Sequence, residues 1–573
     1  MTPIIGQVDT DGGPEEPPYN LGQPGIGGSK FVGAYAGSSF YLRKAAESEY
    51  NELMAIGAVL LQVPSLQHMG LLNRLAFVPM GIYTVRVNGV DPEFQEGFCD
   101  RAADWQRVVA STLKGSPATA TEMRIFFQPM ASGGCGVQNL AAIGKYAFLG
   151  SALLAFEFIK ANYARESHIL QVKMKGVLDG SVTTPYAVAV RSISEEFYDL
   201  FTEVNGREPT ISLDGFDRAS GLSVIARKFQ ARAASLLAEK EARDINRYLS
   251  ATQQVAQRSL QAAPAYANML SAMPAPGLPP IPNSVFSLIL KERLLDQSIG
   301  GIKDTDECPG KGKGCLLQRP LTLDHLRGCV HANSTKGAKC QPHETVQETV
   351  RSALKGAGVR IHPVDLRCNM AVAGRFAAAG VPLSPSGFNE GGDLLCVGLD
   401  GANVETVADV TFINPTSAAA LARQSGNPAV NDAEGRKVKE YTDLYRKIGI
   451  TSVIGLAMDR CGSLGSVLKK TLKKCGQLFD ELPGAPPLPP WANWTCPKYH
   501  LAWGQALVVK AQVEYATHLL EAIAEVHAAR ARRGQGTPRR TAIRNLGEGR
   551  GTARTSSGRG PRDPRGYAAR RTA

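Results

Sequence analysis

Nowhere in these 573 residues do two aspartates stand side by side. That absence excludes the paired-aspartate box on which reverse transcriptases and related polymerases hold their metals. No run of 18 or more apolar residues occurs, so no membrane-spanning helix is expected. The opening stretch, MTPIIGQVDTDGGPEEPPYN, is acidic and rich in Pro and Gly. It has neither the basic start nor the apolar stretch of a secretory signal. A nuclear or cytoplasmic protein is therefore expected. Positive charge is scarce outside one segment: residues 530–573 hold 13 Arg against Glu548 and Asp563, which is +11 of the formal +12. The remaining body is close to neutral, so the basic composition alone does not argue for a basic groove.

What is present begins with length and apolar content. At about 150 residues per domain, the chain has room for three or four domains, and 43% hydrophobic residues can fill their cores. Eleven Cys is an odd number, and they are scattered apart from a cluster at 308–340. This fits a reducing compartment and a metal site better than a disulfide framework.

Residues 1–30 read as a flexible lead. Helical periodicity follows from Tyr41 to about Met80 and again over 96–116. A glycine-rich turn at Gln128–Val137 precedes the apolar helix LAAIGKYAFLGSALLAFEFI. Residues 228–262 read as one long helix, ended by the Pro-rich run 274–282, and SVFSLILKERLLD reads as a short helix. Over 343–461 helix and strand alternate: helix 345–356, strands 394–399 and 404–413, helix 433–448 and strand 450–457. Pro483–Pro490 reads as a linker and 500–531 as a helix. The Arg-rich tail reads as disordered, serving as a phosphate-binding arm, a nuclear address or a solvated tail with no role. The fold expected is thus multidomain α+β, with a mostly helical N-terminal half, a small zinc module and then an α/β domain.

Two constellations carry chemistry. The first is Cys308-x6-Cys315-x9-His325-x3-Cys329. Zinc takes four N/S ligands in a tetrahedron, and close ligand pairs keep loop closure cheap. His325 and Cys329 are four apart, which puts both on one helix turn. A rival set is Cys329, His331, Cys340 and His343, and reduced cysteines in a plain loop are a third possibility. The second constellation is Asp393, Asp409 and Lys437. Two carboxylates can hold Mg²⁺ while leaving it waters and room for a phosphate. A lysine can orient the attacking water or offset developing charge. The turn Asp400–Asn403 allows a hairpin that brings the two aspartates together. Alternatively Asp393 is a turn residue and Lys437 a solvated helix face; Asp409 sits in a strand-like run where an unpaired carboxylate is costly. Trp491, Trp494 and Trp503 can stack on bases or, as such rings more often do, pin a terminal helix to a core.

In this order the pieces resemble the C-terminal half of a non-LTR retrotransposon polyprotein, of the class with a restriction-enzyme-like endonuclease after its reverse transcriptase. The resemblance covers roughly residues 20–475. Gly33–Ser38 resembles the segment that closes the palm, and LQHMGLLNRLAFVPMGIYTVR the thumb helix. Gln128–Gly136 with KYAFLGS resembles the family's Gln…Gly-Gly-x-Gly block, and ANMLSAMP with SVFSLILKERL its connector. His325-x3-Cys329 resembles its His-x3-Cys, and Pro342-His343-Glu344 stands where the family has Arg-His-Asp. Gly392-Asp393 stands at its Arg/Lys-Pro-Asp, Asp409-Val410-Thr411 at its Asp-Val-Thr, and Glu434-x-x-Lys437-x-x-x-Tyr441 on its following helix. Three positions depart: the first Cys pair is wider, Gly391-Gly392 replaces Arg-Pro, and Glu440 stands where a second Lys often precedes the Tyr.

The resemblance implies a palm-end and thumb-like region at 31–295, a zinc-binding linker at 305–345 and a PD-(D/E)xK-like domain at 346–480. A helical segment at 491–529 and the tail at 530–573 follow. It implies structural Zn²⁺ on the four Cys/His ligands, catalytic Mg²⁺ on Asp393 and Asp409, and DNA as partner with the element's RNA as a second. The implied act is DNA nicking without polymerisation. The alternatives are a non-catalytic nucleic-acid-binding fragment with a decayed site, or a product with no selected role.

Overall fold

The structure, a computed structural model, describes residues 28–534. Outside the description are 32–33, 89–91, 164–175, 177–179, 208–221, 265–268, 310–314, 316–320, 330–340, 363–370, 382–390, 423–427 and a few single positions within that span. The disordered reading of the tail lies outside it too, beyond residue 534. The chain is mostly helical, with one small mixed four-stranded sheet. Among the described residues no helix is long and apolar enough to cross a membrane.

The N-terminal part opens with a two-stranded antiparallel hairpin, β1 (Gly28–Phe31) and β2 (Ala34–Gly37); the end of the expected flexible lead is thus paired. The longer helices that follow are α1 (Ser39–Leu61), α2 (Val78–Asn88), α3 (Arg101–Lys114), α4 (Leu140–Asn162), α5 (Pro185–Asn205), α6 (Leu222–Tyr248), α7 (Ala251–Ala262) and α8 (Asn283–Arg293). Helix α4 is the apolar run read from the sequence. It buries Leu140, Ile143, Tyr146, Ala147, Phe148, Leu149 and Leu153 in one core with residues of the other seven helices. Its apolar residues circle the helix, and its first half sits among neighbours, whereas Leu154 and Phe158 further on are exposed.

The expected single helix over 228–262 is two helices. Ser250 adopts an extended conformation, and its hydroxyl accepts from the Gln253 N–H while Gln253 Oε1 accepts from the Ser250 N–H at 3.0 Å. This capping box satisfies two backbone donors at the start of α7 and so fixes the break. The signal, Ser-x-x-Gln, is in the sequence.

The sheet lies in the C-terminal half, framed by α9 (Leu323–Gly328), α10 (Gln341–Gly356), α11 (Ala429–Arg446), α12 (Ser466–Asp480) and α13 (Tyr499–Gly534). Its strands run in order: β3 (Arg360–Ile361), β4 (Leu394–Val397), β5 (Glu405–Ile413) and β6 (Ser452–Asp459). The first three pair antiparallel, and β5 pairs parallel with β6. Helix α11 makes the crossover that a parallel pair requires. Strand alternation sorts the side chains. Leu394, Cys396, Ala408, Val410, Leu456 and Met458 face α10, α12 and the first half of α13. Leu395 and Val407 face the other way, against Tyr441 and Tyr445 of α11.

Helix α13 belongs to both cores. Tyr499, Trp503, Leu507, Val508 and Ala511 pack with the sheet, and Val509, Tyr515, Ala516, Leu519, Ala522, Ile523 and Val526 pack with the helical part. The helical reading of 500–531 is matched by this helix, which packs in both cores. At its far end Arg530 donates to Asp306 at 3.0 Å.

Candidate metal centre and acidic site

Thr322 starts α9 by accepting the His325 N–H at 3.1 Å. That turn points the His325 ring at Cys308 and Cys315, and Cys329 follows directly after the helix. His325 Nε2 lies 3.2 Å from Cys308 Sγ and 3.3 Å from Cys315 Sγ, and the sulfurs of Cys308 and Cys329 are 3.5 Å apart. All four donor atoms lie within 4.8 Å of one another. A disulfide would need about 2.05 Å between sulfurs. Ligands about 2.3 Å from a central zinc sit about 3.8 Å apart at tetrahedral corners. Three cysteines and a histidine in this arrangement could hold a structural metal such as zinc. Burial holds the His325 imidazole below its ordinary pKa, which favours the neutral, ligating form.

Of the rival ligand set, His343 is engaged elsewhere. His343 points away from the cluster, to Val410 and Asp393; His331 and Cys340 lie outside the described residues.

The same short helix wedges between the two halves. Arg327, two residues before Cys329, pairs with Glu292 of α8 at 2.6 Å and with Asp324 at 2.7 Å. Glu292 also pairs with Arg460, just past β6. Arg460 in turn donates to Asn414 at 2.9 Å and Thr416 at 3.1 Å. The Arg327 and Arg460 side chains are almost wholly buried, so each charge depends on these partners.

The acidic residues converge. Leu394 pairs with Ala408 in the antiparallel ladder, so Asp393 falls opposite Asp409, and opposite residues of such a pair share a face. Lys437 reaches the same place from α11, with Nζ 3.4 Å from Asp409 Oδ2 and 3.3 Å from Glu440. Burial, with the Asp393 charge added, pushes Asp409 up to about 7. Burial opposes the Lys437 charge, but Asp409, Tyr441 and Glu440 outweigh it and raise its pKa.

Asp393 also has a structural task. Strand β4 begins only at Leu394, so the β5 backbone at Val410 runs past the end of its neighbour. Asp393 Oδ2 accepts the Val410 N–H at 2.8 Å, and His343 Nε2 donates to the Val410 carbonyl at 2.9 Å. The imidazole also lies 3.3 Å from Asp393 Oδ2, and that hydrogen bond holds it above its ordinary pKa. His343 is therefore a member of the acidic site that sequence reading placed elsewhere. Nothing in its spacing marks it, because the contact joins residues 50 positions apart across a helix–sheet boundary.

Glu434, one turn before Lys437, has a different task. Its buried carboxylate accepts the N–H groups of Val467 and Leu468 at 2.9 Å each and of Ala457 at 3.3 Å. It thus caps the start of α12, where unpaired N–H groups and the helix dipole favour an anion. A Cβ at Gly465 would overlap that carboxylate, and one at Gly455 would overlap the Glu434 backbone. Of the tryptophans, Trp491 and Trp503 pack edge to face at 5.0 Å in the core, whereas Trp494 is 65% exposed.

Against known proteins, the sequence matches no family model and no curated protein.

Proposed function

We propose that this chain is a metal-dependent endonuclease that nicks DNA, built like the nuclease end of the retrotransposon polyproteins it resembles. The observation that carries the reading is the meeting of Asp393 and Asp409 across one pair of strands, with Lys437 3.4 Å from Asp409. Asp409 and the second oxygen of Asp393 would hold Mg²⁺. A bound Mg²⁺ supplies charge for the scissile phosphate and a more acidic water. Lys437 orients that water and offsets charge developing on the phosphate. His343 fixes Asp393, and the Val410 backbone keeps its carboxylate at the start of β4. The Cys308, Cys315, His325 and Cys329 set holds Zn²⁺ as a structural ion, and DNA is the partner, with the element's RNA a second.

A second reading, a nucleic-acid-binding fragment with a decayed site, draws on two observations. One oxygen of Asp393 is already engaged by the Val410 N–H, and Gly391-Gly392 stands before it in place of Arg-Pro. A supercoiled-plasmid assay with Mg²⁺ or Mn²⁺ separates the two. The nuclease reading expects nicked circles from the natural protein and none from Asp409→Ala. Equal nicking by both, or DNA binding without nicking, leaves the binding reading.

A further inference from the structure

The outer face of α12 carries a charge pattern unlike that of the other helices. Lys469, Lys470 and Lys473 are exposed and Lys474 half-buried. They repeat every four residues, about 6 Å along the axis. No acid occurs in α12 before Asp480. Several basic residues of other helices stand beside an acid: Lys437 with Glu440, Arg446 with Asp443, Arg243 with Glu239, Arg247 with Asp244, Lys240 with Glu203. On α12, Lys474 pairs with Asp400 at 2.8 Å and Lys469 donates to the Ala262 carbonyl at 3.0 Å. Lys470, Lys473 and Lys498 make no ion pair among the described residues.

The start of α13 extends this face. The His500 ring lies against Gly476, one turn beyond Lys473, where an added Cβ would come within 3.0 Å of Nδ1. After burial itself, the charges of Lys498 and Lys473 are what lower the His500 pKa, so these amines stand around one spot. Four residues before Lys498, Trp494 projects from a tight turn. The Cys496 N–H bonds to the Asn493 carbonyl at 2.9 Å and the Thr495 N–H to Asn493 Oδ1 at 2.8 Å, with Cys496 buried beneath. The turn holds the indole out of the core that takes Trp491 and Trp503.

We propose that the lysine face of α12, with Lys498 and the exposed Trp494, is a binding surface for single-stranded nucleic acid, separate from the acidic site. Amines in a row take successive phosphates, and one exposed indole stacks on an unpaired base; together these are how sequence-tolerant single-strand sites are made. A duplex hides the base faces that the indole would use. A membrane surface fits less well, because α12 itself carries none of the exposed large apolar residues, and the single indole of Trp494 is less than the apolar face that shallow insertion uses. The face lies across the sheet from Asp409, since α12 packs with Leu394 and Ala408 and Asp409 alternates with them. A strand held here and a duplex at the acidic site would not compete for space.

The test is fluorescence anisotropy with a labelled oligothymidylate, using the full chain carrying Asp409→Asn and no added magnesium, so that cleavage plays no part. Changing Lys470, Lys473 and Lys498 together to Gln should weaken binding and flatten the log–log salt dependence by about 2, at roughly 0.7 per phosphate contact. Trp494→Ala should weaken binding roughly tenfold and leave the slope unchanged. All four residues are at the surface, and unchanged thermal melting confirms that the variants fold. Unchanged affinity and slope in the lysine variant would overturn the proposal. An equal loss for duplex and single strand would overturn its single-strand part. Loss of binding to anionic vesicles with oligothymidylate binding intact would assign the face to membranes instead. Each of these results stands whether or not the acidic site cuts DNA.

Discussion

The two candidate metal sites of this chain differ in what their ligand atoms face. Around Cys308 the donors face one another: two sulfurs lie 3.2 and 3.3 Å from the same imidazole nitrogen. Around Asp409 the charged atoms face protein groups: Lys437, the Val410 N–H and the His343 ring. Thiolates crowded so closely repel one another unless a cation sits among them. The carboxylates have a cation and donors already in place. Metal at the first site would thus be a condition of local structure, and metal at the second, as proposed, a condition of chemistry alone.

The largest effect should come from breaking the first site. Cys308→Ser should lose about one bound zinc per chain by elemental analysis, because structural zinc is worth roughly 10–16 kcal/mol. Asp393→Ala should keep it. Zinc retained in Cys308→Ser would dismiss this ligand set. Next, Asp409→Asn should slow nicking by roughly 10² to 10³ while thermal melting stays level or rises, since a buried charge is relieved. A drop in melting temperature as large as that of Cys308→Ser would erase the contrast between the sites.

Two buried carboxylates sharpen the same point, because both are held by backbone N–H groups rather than aimed at a metal. Glu434→Ala strips partners from two N–H groups at the start of α12 and one in β6. It should cost about 4 kcal/mol in chemical denaturation, with zinc content unchanged; a loss below about 1 kcal/mol would show the cap to be dispensable. Asp459 accepts from Ser259, Cys461 and Ser463, and burial raises its pKa from 3.8 to about 6. The folded state therefore holds this proton more tightly than the unfolded one. Its contribution is full below about pH 4 and is lost as pH rises through about 6, by at most about 3 kcal/mol. Asp459→Asn keeps the neutral form's hydrogen bonds, so its advantage over the natural protein should grow between pH 4 and 8. The same difference at both pH values would show that Asp459 ionises at no cost.

Much of the sheet was legible because its strands announce themselves locally. ETVADVTFI alternates and is β-rich, and the structure places β5 within a residue of the expected 404–413. The convergence of Asp393, Asp409 and Lys437 was legible as well, through the short turn and the helix that follows. Three features were not. The cap at Ser250 was outweighed by an Ala-rich stretch that favours helix on both sides. Helices α5 and α12 were passed over, though the Lys-Lys-x-x-Lys-Lys spacing of α12 has a helical period. Glu434 and His343 could not be placed by any local rule, because their partners are supplied by tertiary folding. Spacing found the four Cys/His residues that cluster, yet it could not decide between Cys308 and Cys340 as companions of Cys329.

Helix α13 has a consequence for how the protein is made. Its side chains complete both cores, and they lie beyond residue 498. During synthesis the helical part and the sheet both emerge with a missing wall, and neither closes until this helix leaves the ribosome. Until then the apolar faces of α8, α10 and α12 that it covers stay open to other chains. One helix thus walls both cores, so its removal opens both halves together.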